Sequence, residues 1–124
     1  MWIRANPNPK GKQVPDCVIR AICIALKMNW YDVYDALCRV GREDCNVPSA
    51  DSVWGHFLQE LGFEPFLLPH SCPICITVNE FCMMYPKGTY IIGTGSHAVA
   101  VIDGNYYDSW DSGNEIPSFF WRIR

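Results

Sequence analysis

Residues 89–111 read TYIIGTGSHAVAVIDGNYYDSWD, and the punctuation of this stretch decides the fold. Thr89–Gly93 and His97–Ile102 have the apolar, β-branched texture of short strands, and Pro86-Lys87-Gly88 is the turn that leads into the first. Asp103-Gly104 is a strong hairpin signal, so Asn105–Trp110 returns beside His97–Ile102. A two-residue turn pairs Ile102 with Asn105 and sets His97 opposite Trp110. Side chains alternate along a strand, so His97, Val99 and Val101 then share a face with Trp110, Asp108 and Tyr106. Asp108 lies diagonal to His97, roughly 7–8 Å away between backbones and within reach of the imidazole. A three-residue turn shifts the register by one and sets Asp111 opposite His97 instead.

Outward from the hairpin, the aromatic segment Ser118–Ile123 reads as a last strand. Toward the N-terminus the period changes to that of helices. Asp16 offers an N-cap, and Ile19, Ile22, Cys23 and Leu26 follow along one helical face, which places Cys17 in the first turn. A second helix starts after Asn29, with Asp32 as its capping-box partner, and Gly41 is placed to end it. A third runs from Asp51 to Leu61 with Gly62 as its stop. Phe63–Leu68 reads as a short edge strand interrupted by Pro65. Thr77-Val78-Asn79-Glu80 has the capping-box form and opens a short fourth helix to about Tyr85. Residues 1–15 are polar and rich in Pro and Gly, and read as an extended lead-in. Helices first and antiparallel strands after them make an α+β class, and no repeat or linker divides the 124 residues into more than one domain.

Composition excludes several classes. Hydrophobic residues make up 49% and charged residues 19%, too apolar for a disordered chain. Ten Lys+Arg against 13 Asp+Glu leave a net charge of −3 and no basic stripe, which argues against a nucleic-acid partner. No segment has the roughly 18–20 apolar residues that span a bilayer, and the N-terminus lacks the pattern of a secretory signal. A cytoplasmic setting follows as the expectation, with the seven cysteines as reduced thiols rather than a disulfide frame. His70, Cys72, Cys75 and Cys82 invite a small zinc module as an alternative, although a single C-x-x-C without a second pair is a weak metal signal.

The chemistry-bearing residues are Cys17, His97 and Asp108. A thiol nucleophile needs a low pKa, which a helix N-terminus helps to supply. It needs a base, and the base needs an orienting partner. Taken singly, a Cys near a helix start is as a rule a small buried hydrophobe, and a lone strand His is structural. The joint pattern points to a triad. Arg20, one turn past Cys17, either lowers the thiol pKa or pairs with a carboxylate such as Asp16 or Asp32. Trp110, beside the proposed Asp, either shields the His–Asp bond or packs in the core.

Asp16-Cys17 opening an apolar helix, Ser96-His97-Ala98-Val99-Ala100-Val101, Asp103-Gly104 and Tyr107-Asp108 together resemble the papain-like cysteine peptidase superfamily. The likeness is nearest to its small bacterial and phage members, including bacteriocin-leader-processing peptidase domains. The resemblance implies a minimal papain-like fold, in which the Cys helix packs on a small C-terminal antiparallel sheet. It implies Cys17 as nucleophile, His97 as general base and acid, and Asp108 as the orienting carboxylate, with Asp111 the other candidate. It also assigns Gln13 to the oxyanion, although the superfamily's Gln usually stands further upstream of the Cys. Val18 stands where the leader-processing domains carry Gly. The implied activity is hydrolysis of a peptide, isopeptide or related acyl bond in a peptide or protein substrate, with no metal or organic cofactor required. The alternative is a non-catalytic module that keeps this fold and binds a partner.

Overall fold

The computed structural model describes residues 1–69 and 71–123. In chain order the elements are β1 (Trp2–Arg4), α1 (Cys17–Leu26), α2 (Trp30–Asp44), α3 (Asp51–Glu60), β2 (Glu64–Leu67), α4 (Val78–Met84), β3 (Thr89–Gly93), β4 (Ala98–Ile102), β5 (Asn105–Asp108) and β6 (Phe119–Ile123). The strands form one sheet in the order β1-β5-β4-β3-β6-β2. No helix among the described residues is long and apolar enough to cross a membrane.

The central strands are apolar on both faces, and their alternation assigns each face a layer. Ile91, Ala98, Ala100, Trp121 and Ile123 pack with α1, α2 and α3. Tyr90, Ile92, Val99, Val101 and Phe120 pack on the opposite side with Val78 and Phe81 of α4. The small Ala98 and Ala100 lie under α1, so this helix can sit close against β4. The β4–β5 turn has the two-residue form: Ile102 pairs with Asn105, and Asp103 and Gly104 both have positive φ, as a type I′ turn requires. Thr77 and Glu80 close the expected capping box at α4.

Four expectations need correction. Residues 1–15 are not wholly a lead-in, because Trp2–Arg4 adds to the sheet parallel to β5. The sheet is therefore mixed rather than antiparallel. Asn29 caps α2 through the Tyr31 N–H at 2.8 Å, not through Asp32, so no capping box closes there. Nor does Gly41 end α2, which continues to Asp44 and stops at Cys45 in the left-handed region. Gly41 is instead a point of close approach. A Cβ there would lie 2.9 Å from the Asn46 carbonyl oxygen and 3.3 Å from the Pro48 backbone. Gly41→Ala is accordingly expected to destabilise the protein in urea unfolding. The clash with backbone, about 1–3 kcal/mol, outweighs the gain in helix propensity of up to about 1 kcal/mol.

The fourth correction concerns the cysteines. Cys72 and Cys75 are joined by a disulfide rather than standing as two thiols. The turn holds their Cα atoms 4.6 Å apart, inside the range a disulfide needs. That bond takes both sulfurs away from any metal. Cys82 is buried in α4, and His70 lies outside the described residues. Among the described residues no group of three or more His, Cys, Asp or Glu side chains is placed to hold a metal ion.

Candidate active site

The N-terminus of α1, the start of β4 and the end of β5 meet at one end of the sheet. His97 immediately precedes β4, in a tight loop where Thr94 N–H donates to the His97 carbonyl at 2.9 Å and Gly95 takes φ +94°. Asp108 closes β5, and β1 fixes its backbone: the Ala5 N–H and the Trp2 indole donate to its carbonyl at 3.0 and 3.1 Å. Both residues stand beyond Ala100 and Tyr107, where the pairing of β4 with β5 ends. There β4 and β5 part, and both residues lie within reach of α1.

His97 Nε2 lies 2.5 Å from Asp108 Oδ2. With Nε2 so engaged, Nδ1 is the nitrogen left to interact with the Cys17 thiol, an interaction that lowers the thiol's pKa and raises that of the imidazole. The Ala98 backbone N–H acts on the thiol in the same direction. The Asp108 carboxylate is itself buried and fully surrounded. It accepts from Ser112 Oγ at 2.6 Å and the Ser109 N–H at 2.8 Å, with Arg20 Nη2 at 3.4 Å. Trp110 lies against the imidazole with ring centroids 4.9 Å apart, while remaining largely exposed. It touches the imidazole and belongs to neither core cluster, which sets aside the core-packing alternative.

These contacts set the charge state. Burial pushes the Cys17 thiol up, but the His97 and Ala98 hydrogen bonds and the positive charges of His97 and Arg20 outweigh it. The thiol titrates below its ordinary value. Burial also works against a charged imidazole, yet Asp108 and the Cys17 sulfur raise His97 to about 9. For Asp108, burial is outweighed by His97 and Ser112, which hold the carboxyl below its usual range. The first turn of α1 adds its dipole to the stabilisation of a thiolate at Cys17. At Cys23 and Cys82 burial is not outweighed, and it pushes both thiols up, Cys23 to about 11. The arrangement favours a thiolate beside an imidazolium.

Arg20 serves in both of the roles considered for it. It is buried, pairs with Asp16 one turn back, reaches Asp108, and adds positive potential at Cys17. Asp16 occupies the cap position of α1 without a side-chain cap bond. Its carboxylate is taken instead by Arg20, by Trp30 Nε1 at 3.0 Å and by Asn8 Nδ2 at 3.2 Å. The first-turn N–H groups of α1 are therefore left without an acceptor from the cap.

Two sequence candidates fall outside this group. Asp111 is exposed and bonds the Tyr106 hydroxyl and the Gly113 N–H at 3.1 Å. The two-residue turn fixes the register that gives Asp108, not Asp111, to His97. Gln13 is exposed and does not line the cleft at Cys17. The three residues between it and the helix are partly spent on a turn, with Asp16 N–H donating to Val14 O at 2.7 Å. Ser112 was not singled out from the sequence, although its partner Asp108 lies only four residues before it.

The cleft has a volume of about 210 Å³. It is lined by Pro15, Cys17, Val18, Ser49 and Asp51 together with Gly95, Ser96, His97 and Ala98. No protein-family model matches the chain, and no curated protein or solved structure shows significant similarity to it.

Proposed function

We propose that the protein is a cysteine hydrolase of papain-like architecture, acting on a peptide, isopeptide or related acyl bond. The observation that carries this reading is the His97–Asp108 hydrogen bond beside Cys17 at the N-terminus of α1, with Cys17 and His97 both lining one cleft. In the first step the Cys17 thiolate adds to the substrate carbonyl, and the C=O electron pair moves to oxygen. The Cys17 backbone N–H, first in α1 and without an intrahelical acceptor, is the donor for that oxyanion. The imidazolium gives its proton to the leaving amine or thiol as the tetrahedral centre collapses to an acyl-enzyme. A water then loses a proton to neutral His97 and adds to the acyl carbon, and the thiolate departs. Asp108 keeps the ring in the tautomer and orientation that both transfers need, and stabilises its charged form.

The deciding measurement is the pH dependence of iodoacetamide alkylation at each cysteine of the native protein, read by peptide mass spectrometry. Cys17 is expected to react quickly well below the ordinary thiol pKa of about 8.5, with Cys23 and Cys82 remaining inert. A Cys17 that titrates like an ordinary thiol would remove the catalytic claim and leave a binding module of the same fold.

A further inference from the structure

Among the described residues that line the Cys17 cleft, Asp51 is the one acidic side chain, and no Lys or Arg stands with it. Apart from His97 and Cys17, the rest of the lining is small or uncharged. The Asp51 carboxylate is therefore the group in the cleft best able to tell one substrate from another by charge.

Asp51 opens α3, and the buried Trp54 indole donates to its Oδ1 at 3.0 Å. That bond ties the carboxylate to a core side chain, so little ordering remains to be done when a ligand arrives. Oδ2 has no hydrogen-bond partner among the described residues. The residue is exposed, and the ion pairs of the described residues all lie elsewhere. Asp51 thus holds an unpaired negative charge in the same cleft as the nucleophile.

The charges around Cys17 do not cancel it. With Cys17 as thiolate and His97 as imidazolium, Asp16, Cys17 and Asp108 carry three negative charges against two positive ones on Arg20 and His97. Asp51 adds to that excess, and a cleft between low-dielectric walls concentrates the field. A substrate ammonium or guanidinium beside Asp51 keeps part of its hydration and gains a charge-assisted hydrogen bond at Oδ2. A substrate carboxylate in the same place meets a like charge with no compensating donor. We infer that Asp51 is a specificity-determining residue, through which the cleft selects substrates carrying a positively charged ammonium or guanidinium group beside the bond attacked. The inference rests on Cys17 being the nucleophile.

The test compares two methanethiosulfonates of opposite charge, the trimethylammonioethyl and sulfonatoethyl reagents, in labelling Cys17. Thiolate attack forms the S–S bond and expels methanesulfinate. The ratio of cationic to anionic rates is measured on the unmodified protein and on Asp51→Asn, which keeps an acceptor for Trp54 and loses the charge. Dividing one ratio by the other cancels the reagents' intrinsic reactivities. The quotient is expected to be about threefold to twentyfold at low salt, the effect of one exposed charge acting with opposite sign on two ions. It should shrink toward one at about 0.5 M salt. Chloromethyl ketones, on which the thiolate forms an S–C bond and expels chloride, then locate the cation. Acetyl-Lys-Gly carries it on a side chain, Gly-Gly with a free amine carries it on the N-terminus, and acetyl-Gly-Gly lacks it. An advantage of the first or the second over the third, lost in Asp51→Asn, names the source. A charge effect in the methanethiosulfonates without either advantage assigns the cation to the leaving group. A quotient within about twofold of one at low salt overturns the role of Asp51. If iodoacetamide still labels Cys17 rapidly below neutral pH in that case, the hydrolase reading survives without it. If that reactivity is ordinary, both fall. Should Asp51→Asn not fold, Asp51→Ser gives the same comparison.

Discussion

His97→Ala is expected to slow iodoacetamide alkylation of Cys17 at pH 6 by at least about tenfold. Without the imidazolium, burial acts on the thiol against only the Ala98 N–H and the Arg20 charge. An ordinary thiol is ionised to less than about 1% at pH 6. Two effects then oppose each other. The thiolate fraction falls tenfold for each unit by which the pKa rises, while the more basic thiolate gains reactivity with a slope of only about 0.4–0.5. The loss of thiolate therefore wins at low pH, and the variant should draw level with or overtake the unmodified protein above about pH 9. Rates measured from pH 5 to 9 on both proteins check this. Superimposable profiles would mean that the contact between the imidazole and the sulfur does not control the thiol, and the proposed pair would lose its electrostatic basis.

The parts of this site that were legible in the sequence are those whose signals are local. Asp103-Gly104 fixes a two-residue turn by backbone conformation alone, and register follows from it by counting, which is why Asp108 rather than Asp111 reaches His97. Thr77 and Glu80 form their box within a single turn. What stayed hidden either depends on chain segments distant in sequence or turns on a competition between neighbouring residues. β1 is three residues long and lies beside β5 only because the N-terminus crosses the sheet edge, where its Trp2 indole reaches the Asp108 carbonyl. A stretch that short has too few residues to display alternation. Asp16 has the composition and position of a helix cap, yet buried Arg20 competes for its carboxylate and wins, because a buried guanidinium without a partner is far costlier than an uncapped helix end. Gly41 reads as a terminator because a left-handed stop and a close backbone approach both call for glycine. Only the position of Asn46 and Pro48 separates the two.

Asp108→Ala is expected to lower the unfolding free energy at pH 7 by about 3–5 kcal/mol, the range seen when one partner of a buried charged pair is removed. That is a large part of the roughly 5–15 kcal/mol of a typical domain. The cost has an identifiable source: Arg20, His97 and Ser112 all direct donors at this carboxylate from buried or nearly buried positions. Asp108→Asn keeps the shape and one acceptor oxygen but removes the charge, so it should cost less and separate electrostatics from packing. The pH dependence distinguishes the two contributions further. Because the folded carboxyl of Asp108 titrates below its ordinary value near 4, its stabilisation is complete above about pH 4 and is lost as pH falls below that. The gap between the unmodified protein and Asp108→Asn should therefore narrow on acidification from pH 5. His97, raised to about 9, acts in the opposite direction: its contribution is complete below its ordinary value of about 6.5 and disappears as pH rises through about 9. The lowered thiol of Cys17 gains stabilisation with rising pH toward its ordinary value and blunts that decline in the unmodified protein. In Cys17→Ala, where Asp108 still holds the imidazolium but no thiolate compensates, stability should fall more steeply between pH 6.5 and 9. Denaturant unfolding of the three variants across pH 3–9 measures every one of these differences. If Asp108→Asn ran parallel to the unmodified protein over the whole range, Asp108 would not carry the charge on which the His97 imidazolium depends.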